Sequence, residues 1–183
     1  MRNPSRIGDL CYSLLDELDV GTRSGLRETP GRFAKAMLHH TSGYEVDIGA
    51  LLKTFDDGAE AYDEMVALLD IPVYRRCEHH LEAIFGTATV AYIPNGRIVG
   101  LSKINRLVDA FARRLQVQER MTQQIAHALM EHLSPLGAAC RIRARHLCME
   151  SRGVCQQGHH TVTTCLLGAF REKAAARSEF LSL

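Results

Sequence analysis

The sequence predicts an α+β fold, an antiparallel sheet with helices on one face. Apolar residues recur at helical spacing near the start and again between residues 104 and 133. Residues 85–93 alternate as a half-buried strand does, and two strand-like runs, 139–149 and 161–167, lie close to the end. No internal repeat or low-complexity tract interrupts this order.

Element by element, Ile7, Leu10, Leu14, Leu15 and Leu18 predict a helix over about Pro4 to Leu18. Thr29-Pro30 predicts a second, with Thr29 as N-cap and Pro30 as first helical residue. Phe33, Met37 and His40 would form its buried stripe, and Gly43 its stop. Asp47 is placed to cap a short helix through Phe55. Val66 to Leu69 and Val73-Tyr74 suggest extended chain, followed by a strand with Ala88, Val90 and Tyr92 on one side. Asn95-Gly96 is a hairpin signal, with Arg97-Ile98-Val99 as the return strand. Ser102 then reads as the N-cap of a helix carrying Ile104, Leu107, Val108 and Phe111. A partner helix carries Met121, Ile125, Leu129 and Leu133 and ends near Pro135-Leu136-Gly137. Strands over Ala139 to Met149 and Thr161 to Leu167, and a helix over about Glu172 to Phe180, close the chain. The expected division is a helical region over residues 1–60 and an α+β domain over 61–183, one functional unit.

At 183 residues the chain can bury a core without disulfides. Its 46% hydrophobic and 23% charged content is that of an ordinary globular protein, and a net charge of +1 favours neither nucleic acid nor membrane. The start of the chain lacks a signal-peptide apolar run, and no stretch approaches the ~20 residues needed to span a bilayer. A reducing cytoplasm is therefore expected, where metal binding outranks disulfides as a use for cysteine. Cys11, Cys140 and Cys165 read as small buried residues.

The chemistry concentrates at Cys77-Glu78-His79-His80 and Arg145-His146-Leu147-Cys148. Two sulfurs and one imidazole make three ligands for zinc and leave a position for water. Zinc lowers the pKa of such a water to about 7, which points to a metal-dependent hydrolase. On a strand, Cys140, Ile142, Ala144, His146 and Cys148 share one face and Arg141, Arg143 and Arg145 the other. Spacing leaves open whether His79 or His80 joins Cys77: a regular strand favours His79, a turn His80. A purely structural zinc would need a fourth ligand such as Cys155 or His159.

Lys103 and Arg106 share a helical face near a helix N-terminus, a natural phosphate site, and Arg32, Lys35 and Arg152 could extend it. Each alone reads more simply as solvated surface. In Gln116-Val117-Gln118-Glu119-Arg120, a carboxylate could accept the ring N–H and exocyclic amine of a guanine, although Glu119 alone is better explained as a helix-start charge.

Together these segments resemble GTP cyclohydrolase I. The resemblance runs from about Gly25 through Leu26-Arg27-Glu28-Thr29-Pro30-Gly31-Arg32, Cys77-Glu78-His79-His80 and Val90-Ala91-Tyr92-Ile93-Pro94. It continues through Gly100-Leu101-Ser102-Lys103-Ile104-Asn105-Arg106, Gln116 to Arg120, His146-Leu147-Cys148-Met149, Arg152-Gly153 and Glu179-Phe180-Leu181. It implies a tunnelling fold (T-fold), an antiparallel sheet with two helices on one face, as the catalytic domain. Assembly would run through sheet edges into rings, usually two stacked pentamers in a homodecamer with sites between subunits.

The implied ligands are Cys77, His80 and Cys148, holding Zn2+. The implied reaction opens GTP at C8, releases that carbon as formate, and gives 7,8-dihydroneopterin triphosphate, the first step toward pterins and tetrahydrofolate. The resemblance assigns proton transfer to His79 and His146, with Ser102 near the ribose. It assigns guanine to Glu119 with Gln118, and the triphosphate to Lys103, Arg106 and Arg152, with Arg32 and Lys35 lending charge. Three departures stand out: Leu115 where proline is common, Arg75-Arg76 before Cys77, and Glu150 between Cys148 and Arg152. A long N-terminal extension is also missing, so added regulatory contacts are not expected.

The main rival is a nicotinamide-dependent nitrile reductase on the same fold, but its cysteine chemistry needs no Cys-His-Cys set. A regulatory purine-binding assembly with structural zinc is a second. A nucleic-acid module is third, and the Arg141, Arg143 and Arg145 stripe lacks the aromatic partners it would need.

Overall fold

Small residues decide how the first two helices meet. The computed structural model describes residues 2–18, 23–55 and 62–183, and the chain divides into two compact units, Met1–Ser42 and Gly43–Leu183. In the first unit, α1 (Pro4–Glu17) starts with Asn3 accepting the Arg6 N–H at 3.2 Å. It packs on α2 (Thr29–His40). A Cβ on Gly8 would lie 3.6 Å from the Pro30 carbonyl, so the helices approach closely there. Cys11 and Ala34 are the buried residues, while Leu10, Leu14, Leu18 and Phe33 are exposed. The predicted apolar stripes are thus displaced, because small side chains carry the contact. Glu28, not Thr29, takes the cap position of α2.

In the second unit, Asp47 accepts the Ala50 N–H at 3.0 Å and caps α3 (Ile48–Leu51), shorter than predicted because Thr54–Phe55 forms β1. The main sheet has five strands: β2 (Val66–Cys77), β3 (Ala83–Ile93), β5 (Leu115–Gln116), β6 (Gly137–His146) and β7 (Thr161–Gly168). Their order is β5-β2-β3-β6-β7, antiparallel except for the short β2–β5 pair.

The predicted hairpin partner is corrected here. Gly96 makes the turn with φ +70°, but β4 (Ile98–Val99) pairs with β1 and not with β3. Both edges of β3 are already taken, by β2 and β6. The Val99 N–H instead donates to the Tyr92 hydroxyl at 3.2 Å.

Helices α4 (Leu101–Ala112) and α5 (Gln118–Leu133) pack on one face of the sheet. Ile104, Leu107, Met121, Ile125 and Leu129 form the core there with Val73, Ile84, Val90 and Ile142, as their spacing predicted. Gly100 occupies the cap of α4, so Ser102 lies within its first turn. On the other face a smaller cluster joins Ala91 and Ala139 to Phe170 and Phe180. These rings come from α7 (Ala169–Glu172) and α8 (Ala174–Ser182). The predicted last helix is two, because Lys173 is extended (φ −103°, ψ 117°).

The strand predicted to reach Met149 ends at His146, and Leu147–Glu150 is a helical turn, α6. The N–H and hydroxyl of Ser151 both donate to the Leu147 carbonyl, at 2.9 and 2.8 Å, and close that turn. No helix among the described residues is long and apolar enough to cross a membrane.

Candidate metal centre and active site

β2 and β6 run in the same direction on either side of β3, so their C-terminal ends emerge at one end of the sheet. Arg76 faces Ala83 and His146 faces Ile84, which puts Cys77, the last residue of β2, and Cys148, two residues past the end of β6, at the same end of their shared neighbour β3. The backbone turns immediately after Cys77. Its N–H donates to the Glu82 carbonyl at 2.9 Å, and its carbonyl accepts from Leu81 at 2.9 Å. Leu81 takes the left-handed conformation at φ +56°, and Arg76 Nη1 donates to its carbonyl at 3.1 Å.

The turn brings His80 back to Cys77, with Nδ1 3.6 Å from Sγ. His79, exposed like His80, lies 3.7 Å from Glu78. One ligand atom each from Cys77, His80 and Cys148 lie within 4.8 Å of one another. Neither Cys155 nor His159 joins that cluster.

The donor set fits zinc. Burial, and after it the adjacent Cys77 sulfur, pushes the Cys148 thiol up, so a thiolate there calls for a cation to stabilise it. Two sulfurs and an imidazole suit zinc better than a hard, oxygen-seeking ion.

Around the cluster lies a polar network. Gln118, 1% exposed at the start of α5, donates through Nε2 to the Ile142 carbonyl (3.1 Å) and the Thr161 carbonyl (3.0 Å). Its Oε1 lies 2.8 Å from His146 Nε2 and accepts from Arg75 Nη2 at 3.4 Å. Burial, and then the charge of Arg75, holds the His146 imidazole below its ordinary range. Arg75 is itself 3% exposed, and burial lowers its pKa to about 10. Its Nε and Nη1 are buried without a partner among the described residues.

A second network holds the ligand turn against α5. Arg120 pairs with Glu78 and donates to Gln116 Oε1 at 3.1 Å. Gln116 in turn binds the Phe111 carbonyl at 3.1 Å and Gln124 at 2.9 Å. The Arg120 contact holds the Glu78 carboxyl below its ordinary range. Sequence reasoning gave no role to Arg75, Glu78, Gln116 or Arg120. The signal was there in the density of polar residues around the two motifs, but partners so far apart in the chain become visible only once the strands are paired.

The remaining candidates are spread out. Glu119 is exposed in the first turn of α5, and its charge acts on both His146 and Arg75. Arg152 is exposed before Gly153 (φ +65°) and acts on Cys148. Ser102 and Lys103 stand at the start of α4, beside the Tyr92 end of β3. From Ala83 to Tyr92 the strand runs about 30 Å, so within one chain the start of α4 and the metal cluster lie at opposite ends of the sheet. Arg106 follows along the exposed side of α4. Arg32 and Lys35 are exposed on α2, in the first unit, where Arg32 pairs with Glu28.

The departures find partners. The Leu115 N–H, which proline would lack, donates to the Tyr44 hydroxyl at 3.2 Å. Glu150 pairs with Arg145 through both carboxylate oxygens, and not with Arg152. Of the arginine stripe, Arg141 reaches the Leu181 carbonyl at 3.3 Å and Arg143 lies 3.2 Å from His160 Nδ1.

An α+β sheet with two thiols and an imidazole gathered at one end defines the class: a protein with a site fit to hold a metal ion. A sequence profile of GTP cyclohydrolase I matches residues 10–183. A protein named GTP cyclohydrolase 1 from Janthinobacterium sp. (strain Marseille) is 59% identical, covering 88% of this chain and 81% of its own. Its namesake from Nitrosospira multiformis is 56% identical, covering 97% and 93%, and the one from Saccharomyces cerevisiae 49% identical, covering 97% and 73%. An archaeosine synthase QueF-like structure in the apo form aligns with 57% of this chain and 93% of its own at 14% identity and a TM-score of 0.45, too slight a likeness to define a fold. The chain belongs to the GTP cyclohydrolase I family of hydrolases.

Proposed function

We propose that this protein converts GTP and water to 7,8-dihydroneopterin triphosphate and formate, the entry to pterin and tetrahydrofolate synthesis. The observation that carries the reading is the Cys77, His80 and Cys148 cluster, with His146 anchored beside it. Zinc, when bound, supplies a Lewis acid that makes water nucleophilic near neutral pH.

The chain's own residues do the rest. His146 and the exposed His79 carry protons to and from the nitrogen leaving groups, a task suited to imidazole near pH 7. The Glu119 carboxylate accepts the ring N–H and exocyclic amine of guanine, and adenine's edge offers the wrong donors. Lys103, Arg106 and Arg152 hold the triphosphate, with Arg32 and Lys35 adding charge, and Ser102 lies near the ribose.

Because Ser102 and Lys103 stand about 30 Å of strand from the metal cluster in one chain, a complete site draws them from another copy. The sheet supports such assembly. Among the described residues β7 is an edge strand, and β2 meets β5 only at Arg76 and Cys77, leaving most of its outer edge unpaired by them. The two edges run antiparallel, so β7 of one copy can continue onto β2 of the next. This is how a tunnelling fold would close into rings, with two stacked pentamers the expected form, residues 61–183 as its catalytic domain and residues 1–60 as its helical region. A cytoplasmic location is proposed on the free cysteines. Incubation with GTP, following formate and the pterin product with and without a chelator, tests the activity. No formate from the zinc-loaded protein would sink it.

A further inference from the structure

Gln118 is a terminal amide whose two ends are both committed. Its NH2 group faces two backbone carbonyls, those of Ile142 and Thr161, which can only accept. Its oxygen faces Arg75 Nη2, which can only donate. Flipping the amide would set an oxygen against two carbonyls and an NH2 against a guanidinium. One orientation therefore survives, and in it Oε1 is the atom 2.8 Å from His146 Nε2. An amide oxygen accepts, so that ring nitrogen must carry the proton. Thr122 fixes the turn that bears Gln118: its hydroxyl donates to the Gln118 carbonyl at 2.7 Å and lies 2.6 Å from the Thr163 hydroxyl on β7. The side chain is 1% exposed, so no amide hydrogen is spare for a ligand.

We propose that Gln118 is a positioning residue for His146, holding its proton on Nε2 so that the neutral ring offers only the Nδ1 lone pair for proton transfer, and that Gln118 makes no contact with guanine. This rests on the GTP reading above for its catalytic meaning, but the hydrogen bond stands or falls without it. Arg75 belongs to the same device, because its donor denies the amide its other orientation.

The test uses zinc-loaded protein and two variants. Gln118→Met keeps the length and removes every hydrogen bond, while Gln118→Glu returns an acceptor oxygen to His146. Single-turnover rates against GTP concentration separate the maximal rate from half-saturation. The maximal rate of Gln118→Met should fall on the order of 10- to 100-fold, half-saturation should stay within about twofold, and Gln118→Glu should recover part of the rate. A guanine contact would instead raise half-saturating GTP in both variants at a retained rate; that result, or no change at all, overturns the proposal. Proton NMR gives a readout without turnover. A slowly exchanging imidazole N–H that is lost in His146→Asn is expected, and its absence also overturns the proposal. A protein that shows this resonance yet releases no formate refutes the GTP reading and leaves the hydrogen bond intact.

Discussion

The two ends of β3 are built on different terms. At the Ala83 end, one chain brings together three side chains that could hold a metal ion, a buried amide, a histidine and a buried arginine. At the Tyr92 end the tyrosine hydroxyl takes the Val99 N–H, and α4 begins with Ser102 exposed and Lys103 half-buried. The first end is a connected polar cluster within one chain, and the second carries the serine and lysine that the proposed function draws from another copy. On that proposal the machinery of one reaction is divided between the opposite ends of a sheet, and assembly would reunite it.

The largest effect is expected at the Ala83 end. Cys148→Ser should abolish both metal retention, otherwise about one zinc per chain, and formate release; full activity in a metal-free variant would remove the centre from the mechanism. The division itself is tested by co-expressing Cys148→Ser chains with Lys103→Ala chains. Each alone should be inactive or nearly so, and mixed assemblies should recover formate release, whereas sites complete within one chain would give no recovery. Glu119→Ala should raise the GTP concentration needed for half-saturation by roughly 10- to 100-fold, the range for hydrogen bonds to a charged group. Unchanged affinity would remove Glu119 from guanine recognition. Smallest is Thr122→Val, which should cost about 1 kcal/mol of stability in a denaturant titration through the lost hydroxyl bonds. No loss would mean that α5 holds Gln118 without that hydroxyl.

Periodicity carried well where one helix face meets a continuous core. Ile104, Leu107, Val108, Met121, Ile125 and Leu129 are all fully buried. It misled where Gly8, Cys11 and Ala34 make the contact, because close approach rewards small residues that a hydrophobic count passes over. Asn95-Gly96 did specify a turn, but a turn signal says nothing about which strand edge is free to receive the next segment. At the site, the residue types of the metal cluster were visible in the sequence. That His80 rather than His79 lies beside Cys77 depended on the bend after β2, which the alternation of a strand does not announce. Arg75 stood out only as an oddity beside Cys77, and its hydrogen bond to Gln118 joins residues 43 apart in the chain.

The bend after Cys77 is closed by the Cys77–Glu82 and Leu81–Cys77 backbone bonds, by Arg76 on the Leu81 carbonyl and by the Glu78–Arg120 pair. Three of these contacts lie within residues 76–82 and the fourth comes from α5, so the bend is tied both to its own short segment and to that helix. A substitution at Arg120 would then disturb it from 42 positions further along the chain.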